Sequence, residues 1–338
     1  MQSTKSEIVI IGMLLLTSIC VAIISLHFGR FTIAINDIFL LLKSFFDKNT
    51  LYPETVKTVI LNIRLPRILA AFLVGGTLSL TGAAYQGMFR NPMVSPSILG
   101  VSAGAGFGAA LGILLALQGF WIQTLSFLFG IGAVLVVYFL SLVTGRKYDK
   151  NLTLILSGMI ITAVFTALIS ILKIVADPNN TLPAIEYWLM GGLSGVQLGN
   201  LQYIAILSFA GLLFLSLSGW KLDILSFGDE EAKSMGINVR RLRFTVIIIA
   251  TLLTASAVSI SGIIGWVGLL VPHIARMLIG PKNVILLPAS FLIGAIFLIV
   301  VDDFSRCISS IEIPLGITTA LIGAPFFIFI LLKTSKKV

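Results

Sequence analysis

Runs of about twenty apolar residues recur along the whole chain, and no other feature restricts its fold as strongly. A helix of that length crosses the roughly 30 Å hydrocarbon core of a bilayer. Within lipid, only helices and closed β-barrels satisfy every backbone hydrogen bond, and the alternating pattern of barrel strands is absent here. Charged residues make up 11% of the 338 positions, whereas soluble domains carry about 25%. We therefore expect an all-α polytopic membrane protein with a single transmembrane domain over residues 1–338.

The hydropathy pattern predicts ten transmembrane spans, with boundaries accurate to a few residues. They cover residues 8–28, 64–86, 97–117, 121–144, 152–175, 199–219, 244–262, 265–279, 284–301 and 313–332. The eighth span is short, and Pro272 is expected to interrupt it. Two outer connections are expected to carry short helices, near residues 36–46 and 185–190. An even number of spans puts both termini on the same side of the membrane.

Lysine and arginine residues set the orientation of these spans. With the N-terminus inside, fifteen of the 23 Lys and Arg residues fall in inner segments and eight in outer segments. Cytoplasmic loops show this excess, so both termini are expected in the cytoplasm. The net charge of +9 is explained by the same loops, and we expect no nucleic-acid partner.

A polar segment, residues 220–243, separates the sixth span from the seventh. It holds nine charged residues among twenty-four, five basic and four acidic. Asp229 is suited to cap a short helix that Gly236 ends, and Asn238 is suited to cap a second short helix. A solvated loop that only sets orientation is the alternative, but such a loop needs no acidic residues. The acidic half therefore favours a rigid cytoplasmic element that faces a partner.

Three arginines are expected on the outer side. Arg64 and Arg67 lie three residues apart where an outer connection enters the second span, and Arg306 follows the ninth span. Basic side chains on an outer surface can pair with acidic groups of a partner. The alternative is that they extend to phospholipid headgroups.

The sequence contains no arrangement typical of catalysis or metal binding. It has no phosphate-binding loop, no paired His ligands of the His-Glu-x-x-His kind and no Ser/His/Asp set with suitable placement. Its two cysteines, Cys20 and Cys307, predict no disulfide. We therefore expect no enzyme and no bound metal or cofactor. A secondary transporter is the alternative to a partner-driven one, but it normally needs carboxylates within the spans, and these are scarce.

The chain resembles the FecCD-like permease subunits of type II ATP-binding cassette (ABC) importers for iron-siderophores, haem and cobalamin. The resemblance extends over essentially the full length, and the order and spacing of its motifs are specific. The motifs are Arg64-Leu65-Pro66-Arg67, Tyr85-Gln86-Gly87-x2-Arg90-Asn91-Pro92, Leu99-Gly100-Val101-Ser102, Tyr187-Trp188-Leu189-Met190-Gly191-Gly192, Gly228-Asp229-Glu230-x-Ala232-x3-Gly236, Val271-Pro272-His273-x2-Arg276 and Glu312-x-Pro314-Leu315-Gly316.

The resemblance implies a fold, partners and a membrane. The fold is that of a type II importer permease in the cytoplasmic membrane of a prokaryote. The partners are a second copy of the chain, two cytoplasmic subunits that bind ATP and Mg²⁺, and an extracytoplasmic substrate-binding protein. The substrate passes along the dimer interface, past the fifth and tenth spans. A ferric siderophore is the favoured cargo, and haem, cobalamin and molybdate stay open.

The resemblance also implies roles for particular residues. Residues 228–243 correspond to the coupling helices that contact the ATPase. The coupling residues are Asp229, Glu230, Glu231, Ala232, Gly236, Asn238, Arg240 and Arg241. Arg64, Arg67 and Arg306 are implied to face acidic residues of the binding protein. Asp303, unusual beside Arg306, either weakens that docking or holds Arg306 in place. Asn151 and Leu152 occupy the cytoplasmic gate position, although the surrounding sequence departs from the small polar residues of the family.

Overall fold

The computed structural model describes residues 2–29, 31, 33–44, 53–144, 150–309 and 311–335, and these residues form helices and turns with no strand. In chain order the helices are α1 (Gln2–Ser25), α2 (Ile35–Ser44), α3 (Glu54–Thr58), α4 (Leu65–Phe89), α5 (Val101–Leu114), α6 (Gly119–Thr144), α7 (Lys150–Val175), α8 (Thr181–Met190), α9 (Leu198–Leu217), α10 (Gly219–Leu225), α11 (Asp229–Ser234), α12 (Val239–Ser261), α13 (Val267–Ile279), α14 (Asn283–Cys307) and α15 (Leu315–Ser335). The all-α fold class is confirmed.

The ten expected spans all correspond to helices. Seven helices in the described part of the chain are long and apolar enough to cross a membrane: α1, α4, α6, α7, α9, α12 and α14. Three shorter apolar helices, α5, α13 and the first part of α15, account for the other spans. The expected outer helices are α2 and α8, and α8 begins earlier than predicted, at Thr181.

Helix α4 forms the centre of the bundle, since 89% of its membrane window is buried, against 11% for α1. Two glycines let neighbouring backbones reach it. A Cβ atom at Gly75 would lie 2.3 Å from the carbonyl oxygen of Gly294 on α14, and one at Gly82 would lie 1.8 Å from that of Gly268 on α13. No side chain fits at such distances, so these glycines fix how closely α13 and α14 pack against α4.

The prediction that Pro272 interrupts the eighth span is wrong. Helix α13 continues from Val267 to Ile279 with Pro272 inside it. Proline lacks the N–H that would bond the carbonyl four residues earlier. That carbonyl belongs to Gly268, and it faces Gly82 on α4 instead. The close contact with α4 thus accommodates the carbonyl that proline leaves unbonded, and the helix runs on.

Two hydrophobic cores lie along α4. The first surrounds Tyr85 and Met88 and includes Leu222 of α10 and Ala232 of α11. The second surrounds Ile68 and Leu73 and includes Leu315, the first residue of α15. The distribution of Lys and Arg predicts that the first core lies toward the cytoplasm and the second toward the outside, and on that prediction we call them the cytoplasmic and outer cores. The polar segment is therefore packed into the cytoplasmic core rather than suspended in solvent.

Candidate functional site

Residues 228–243 of the polar segment form two helices joined by a turn, namely α11 and the start of α12, and we call this part the bend. The sequence predicts two such helices, but their capping differs from the prediction. Helix α11 ends at Ser234, and Gly236 follows with a φ of +80°, a left-handed conformation that suits glycine. The amide of Ile237 then donates to the carbonyl of Ala232 at 2.9 Å. This pattern of hydrogen bonds is the usual end of a helix at glycine, so the predicted role of Gly236 in the bend is confirmed.

Two details of the predicted segment are wrong. Asn238 does cap a helix, because its Oδ1 accepts from the amide of Arg241 at 3.0 Å. That helix is not short, however, since it is the start of the membrane-spanning α12. Asp229 is not a cap: Gly228 occupies the cap position, and Asp229 is the first helical residue. Its carboxylate has other partners.

Asp229 ties α11 to two long helices. Its Oδ1 lies 2.8 Å from Nη2 of Arg243 on α12 and 3.6 Å from Nη2 of Arg90, which caps α4 in a left-handed conformation. Arg243 is only 9% exposed, and its Nε has no hydrogen-bond partner among the described residues. A buried guanidinium group depends strongly on the carboxylate that it retains. Asp229 therefore joins the bend mechanically to α4 and α12.

The remaining residues of the bend divide into a buried and an exposed set. Ala232 is fully buried and packs into the cytoplasmic core. Glu231, Arg240 and Arg241 are exposed. Glu230 is also exposed, and its carboxylate lies 2.7 Å from Nζ of Lys233. This hydrogen bond and charge raise the pKa of Lys233. The exposed set leaves both signs of charge available to a partner.

The sequence analysis did not identify two exposed apolar residues that lie beside α11. Phe227 is 76% exposed and Met235 is 63% exposed, and they flank α11 on either side. Large apolar side chains on a cytoplasmic surface are typical of a protein–protein contact. Their presence inside the most charged segment of the chain was the signal that could have identified them.

The three outer arginines are not on the surface, contrary to expectation. Arg64 is 2% exposed, and Arg67 and Arg306 are each 6% exposed. The count of charges per loop, on which the expectation rested, cannot show acidic partners that are distant in sequence. Asp302, Asp303 and Glu312 supply such partners to Arg67 and Arg306, so two positive and three negative groups meet in one cluster.

Arg67 binds two carboxylates at once. Its Nε and Nη2 donate to Asp302 at 2.9 Å, and its Nη1 donates to Oε1 of Glu312 at 2.9 Å. Asp302 lies on α14, while Glu312 lies in the segment just before α15. Through these bonds Arg67 links α4 to both.

Arg306 and Arg64 secure the outer end of α1. Arg306 pairs with Asp303, whose Oδ1 also accepts from Oγ of Ser25 at 2.7 Å. Of the two roles left open for Asp303, the structure shows the second, in which it holds Arg306 in place. Arg64 donates to the backbone carbonyls of Leu26, His27 and Phe31, so it closes the turn after α1.

The gate residues lie at the cytoplasmic start of α7. Leu152 is 52% exposed, whereas Leu154 is 5% exposed and packs into the cytoplasmic core. Residues 145–149, which precede α7, lie outside the described residues. Most of α7 faces outward from the chain, with 22% of its membrane window buried. The gate role of Asn151 and Leu152 stays a prediction.

A cavity of about 380 Å³ lies between α5, α7 and the turn before α13. Hydroxyl groups of Ser102, Thr162, Thr166 and Thr254 line it, together with Lys173. Oγ1 of Thr254 is buried and has no hydrogen-bond partner in the described part of the chain. Lys173 is paired with Glu186 at 2.9 Å. The lining is mainly apolar, and it offers a ligand a few hydroxyl groups and one ammonium group but no carboxylate.

Comparisons with known proteins agree over nearly the whole chain. The sequence model of the FecCD transport family matches residues 14–333. The molybdate import system permease protein of Haemophilus influenzae is 39% identical over an alignment that covers 99% of this chain and 98% of that protein. An iron chelatin transport system permease protein of Helicobacter pylori is 38% identical over 83% of this chain and 84% of its own length. A solved metal-chelate type ABC transporter in an inward-facing conformation has a TM-score of 0.86 and 37% identity, with 96% of this chain and 99% of that chain covered.

Proposed function

The chain belongs to the FecCD transport family, and from that membership we propose that it is the membrane subunit through which an ATPase drives import of a metal-containing ligand. It is a multi-pass permease of the ABC-importer type for metal chelates. The observation that carries the proposal is the cytoplasmic bend at α11, which Asp229 joins to α4 and α12. A contact made at this bend is transmitted to the centre of the bundle.

The proposed assembly contains two copies of this chain, two cytoplasmic ATP-binding subunits and an extracytoplasmic binding protein, with both termini in the cytoplasm. The second copy is proposed from the family resemblance, because the low burial of α7 is shared by α1, α6 and α9 and suits lipid as well as another subunit. The exposed charges and the apolar Phe227 and Met235 support an ATPase at the bend. ATP and Mg²⁺ bind to the ATPase, and this chain performs no hydrolysis.

The proposed cycle begins when ATP draws the two ATPase subunits together. Each subunit then moves the bend that it contacts, and the Asp229 ion pairs carry the displacement to α4 and α12. Because packed helices shift as rigid bodies, the bundle tilts between inward-facing and outward-facing states. No proton or ion relay within the spans is needed for this cycle.

The proposed cargo is an oxygen-rich metal complex. A ferric siderophore is our first candidate, and the iron chelatin relative supports it. Molybdate is the second candidate, because the molybdate relative matches this chain almost from end to end. Haem and cobalamin, which the family also carries, are the remaining alternatives. The hydroxyl groups and Lys173 in the lining of the cavity support oxygen-rich ligands, since such donors bind oxygen acceptors.

Reconstitution with the cognate ATPase and binding protein tests the proposal. Proteoliposomes would be supplied with ⁵⁵Fe-siderophore in one series and ⁹⁹Mo-molybdate in another, with ATP inside or absent. We expect ATP-dependent uptake of one of these ligands, and none with an ATPase that lacks its phosphate-loop lysine. Uptake that persists with this inactive ATPase would favour the alternative, a secondary transporter, and would overturn the proposal.

A further inference from the structure

The two carboxylates bound to Arg67 differ in how firmly they are held. The side chain of Asp302 is 2% exposed and lies on the long helix α14. The side chain of Glu312 is 28% exposed and lies in the short segment between α14 and α15. Each accepts charged hydrogen bonds of about 2.9 Å from the same guanidinium group. Glu312 is therefore the partner that another carboxylate can replace from outside.

The segment that carries Glu312 is fastened to the outer ends of other helices. The amide of Leu315 donates to the carbonyl of Gly191 at 2.9 Å, and the amide of Gly192 donates to that of Ser261 at 2.8 Å. Ser305 on α14 bonds to the carbonyl of Ile313. The Glu312 side chain thus adds a tie to α4 for a segment that leads directly into α15.

Exchange of one carboxylate for another at Arg67 avoids the main cost of opening a buried ion pair. Removing the partner of a buried charge is strongly destabilising, because the charge is left uncompensated. If an incoming carboxylate takes the place of Glu312, Arg67 keeps two anionic partners throughout, and Glu312 turns toward water. The outer position on Arg67 is consequently a receptor for one carboxylate, occupied by the chain itself.

We propose that Glu312 holds, in the free permease, the position on Arg67 that an acidic side chain of the extracytoplasmic binding protein occupies on docking. This inference rests on the proposed function, and it identifies Glu312 as a competitor that limits docking. It also gives docking a structural result, because displacement of Glu312 removes the side-chain tie between α4 and the segment before α15, which then keeps its bonds at Ile313 and Leu315. Binding outside is thereby communicated to a helix that spans the membrane.

Docking affinity tests the competition directly. The permease–ATPase complex in lipid nanodiscs would be titrated with the cognate binding protein, for wild type, Glu312→Gln and Glu186→Gln. Glu186 is the matched control, because it is an outer carboxylate that pairs with Lys173 and does not contact Arg67. We expect Glu312→Gln to lower the Kd about tenfold, the effect of losing one charged competitor, and Glu186→Gln to leave it within about twofold of wild type.

Equal or weaker docking by Glu312→Gln, with wild type docking normally, would overturn the inference and leave the proposed function standing. A wild-type complex that neither docks a binding protein nor imports ligand would overturn both. An equal gain in Glu186→Gln would show a general charge effect, which also overturns the inference.

A second measurement, made without the binding protein, tests the tie between Glu312 and its segment independently of docking. A spin label would be placed at position 311 by Ile311→Cys, after Cys20 and Cys307 are replaced by serine, since all three residues are exposed. We expect the label to be more mobile in Glu312→Gln than in the Glu312 parent, and unchanged in Glu186→Gln. Identical spectra for Glu312→Gln and its parent would refute the tie between Glu312 and the mobility of this segment.

Discussion

Replacing Asp229 by asparagine tests whether the cytoplasmic bend must be fixed to α4 and α12 in order to transmit movement. Asparagine keeps the size of the side chain and one carbonyl oxygen, but it removes the charge that pairs with Arg243 and Arg90. The 2.8 Å bond to Arg243 is charge-assisted on both sides, and Asp229 is about one-third exposed. We therefore take the lower part of the range for hydrogen bonds to charged groups, about 1.5 kcal/mol.

The pair with Arg90 is longer, at 3.6 Å, and more exposed, so it contributes less than about 1 kcal/mol. Together the two losses amount to about 2 kcal/mol. This changes by roughly thirtyfold the ratio of molecules in which the bend is attached to α4 and α12 through residue 229 to molecules in which it is detached. We expect the variant to fold and to assemble, because Ala232 still anchors α11 in the core. The ATPase should then move the bend without moving α4 and α12.

The assay measures ligand uptake and ATP hydrolysis in the same proteoliposomes. For Asp229→Asn we expect hydrolysis to continue and uptake per ATP hydrolysed to fall, by up to the roughly thirtyfold change in the ratio of attached to detached bends. Glu230→Gln is the control, since it removes an equal charge from the next position, where the ion pair with Lys233 is exposed. That variant should weaken ATPase assembly at most, with uptake per ATP within about twofold of wild type. Equal uptake per ATP in the two variants would refute the reasoning.

Three further substitutions probe other parts of the structure. Gly82→Ala places a methyl group 1.8 Å from a carbonyl oxygen of α13, so thermal unfolding should show a loss of at least about 1–3 kcal/mol; Gly132→Ala, which meets open space, should show none. Gly236→Val forces a branched side chain into a φ of +80°, at a cost of about 1–2 kcal/mol, and normal uptake per ATP would contradict the role of the bend. Arg67→Lys cannot bind two carboxylates in the same geometry and leaves Asp302 under-bonded, so a loss of about 3 kcal/mol is expected in the same unfolding assay; an unchanged midpoint would count against the buried cluster.

The sequence was sufficient for features that depend on neighbouring residues. Hydropathy located ten helices because each apolar run is continuous, and seven of them in the described part of the chain are long enough to cross a membrane. The helix end at Gly236 and the cap at Asn238 were predictable for the same reason, since capping involves residues three or four positions apart. The orientation expected from Lys and Arg used only their distribution among connections.

Features that depend on distant residues were not predictable. Arg67 meets Asp302 and Glu312, which lie more than two hundred positions further along the chain, so no local pattern could show that these arginines are buried and paired. The partners of Asp229 were missed because a carboxylate before a helix is usually a cap, and only the fold brings Arg90 beside it. The continuity of α13 through Pro272 likewise depends on the contact with Gly82 on another helix.

The burial of α4 has a consequence for how the protein is made. In the finished bundle this helix scarcely touches lipid, yet α14, one of the helices that cover it, begins at Asn283, long after α4 ends at Phe89. At roughly 5–20 residues per second, ribosomes need on the order of ten to forty seconds to synthesise that interval. During this time α4 lies in the membrane while Gly75 and the hydroxyl group of Ser79, which pack against Gly294 of α14, are uncovered. Assembly of this permease therefore requires either a waiting period at the insertion machinery or temporary neighbours, and interference with that step should cause degradation of nascent chains before any defect in transport can be measured.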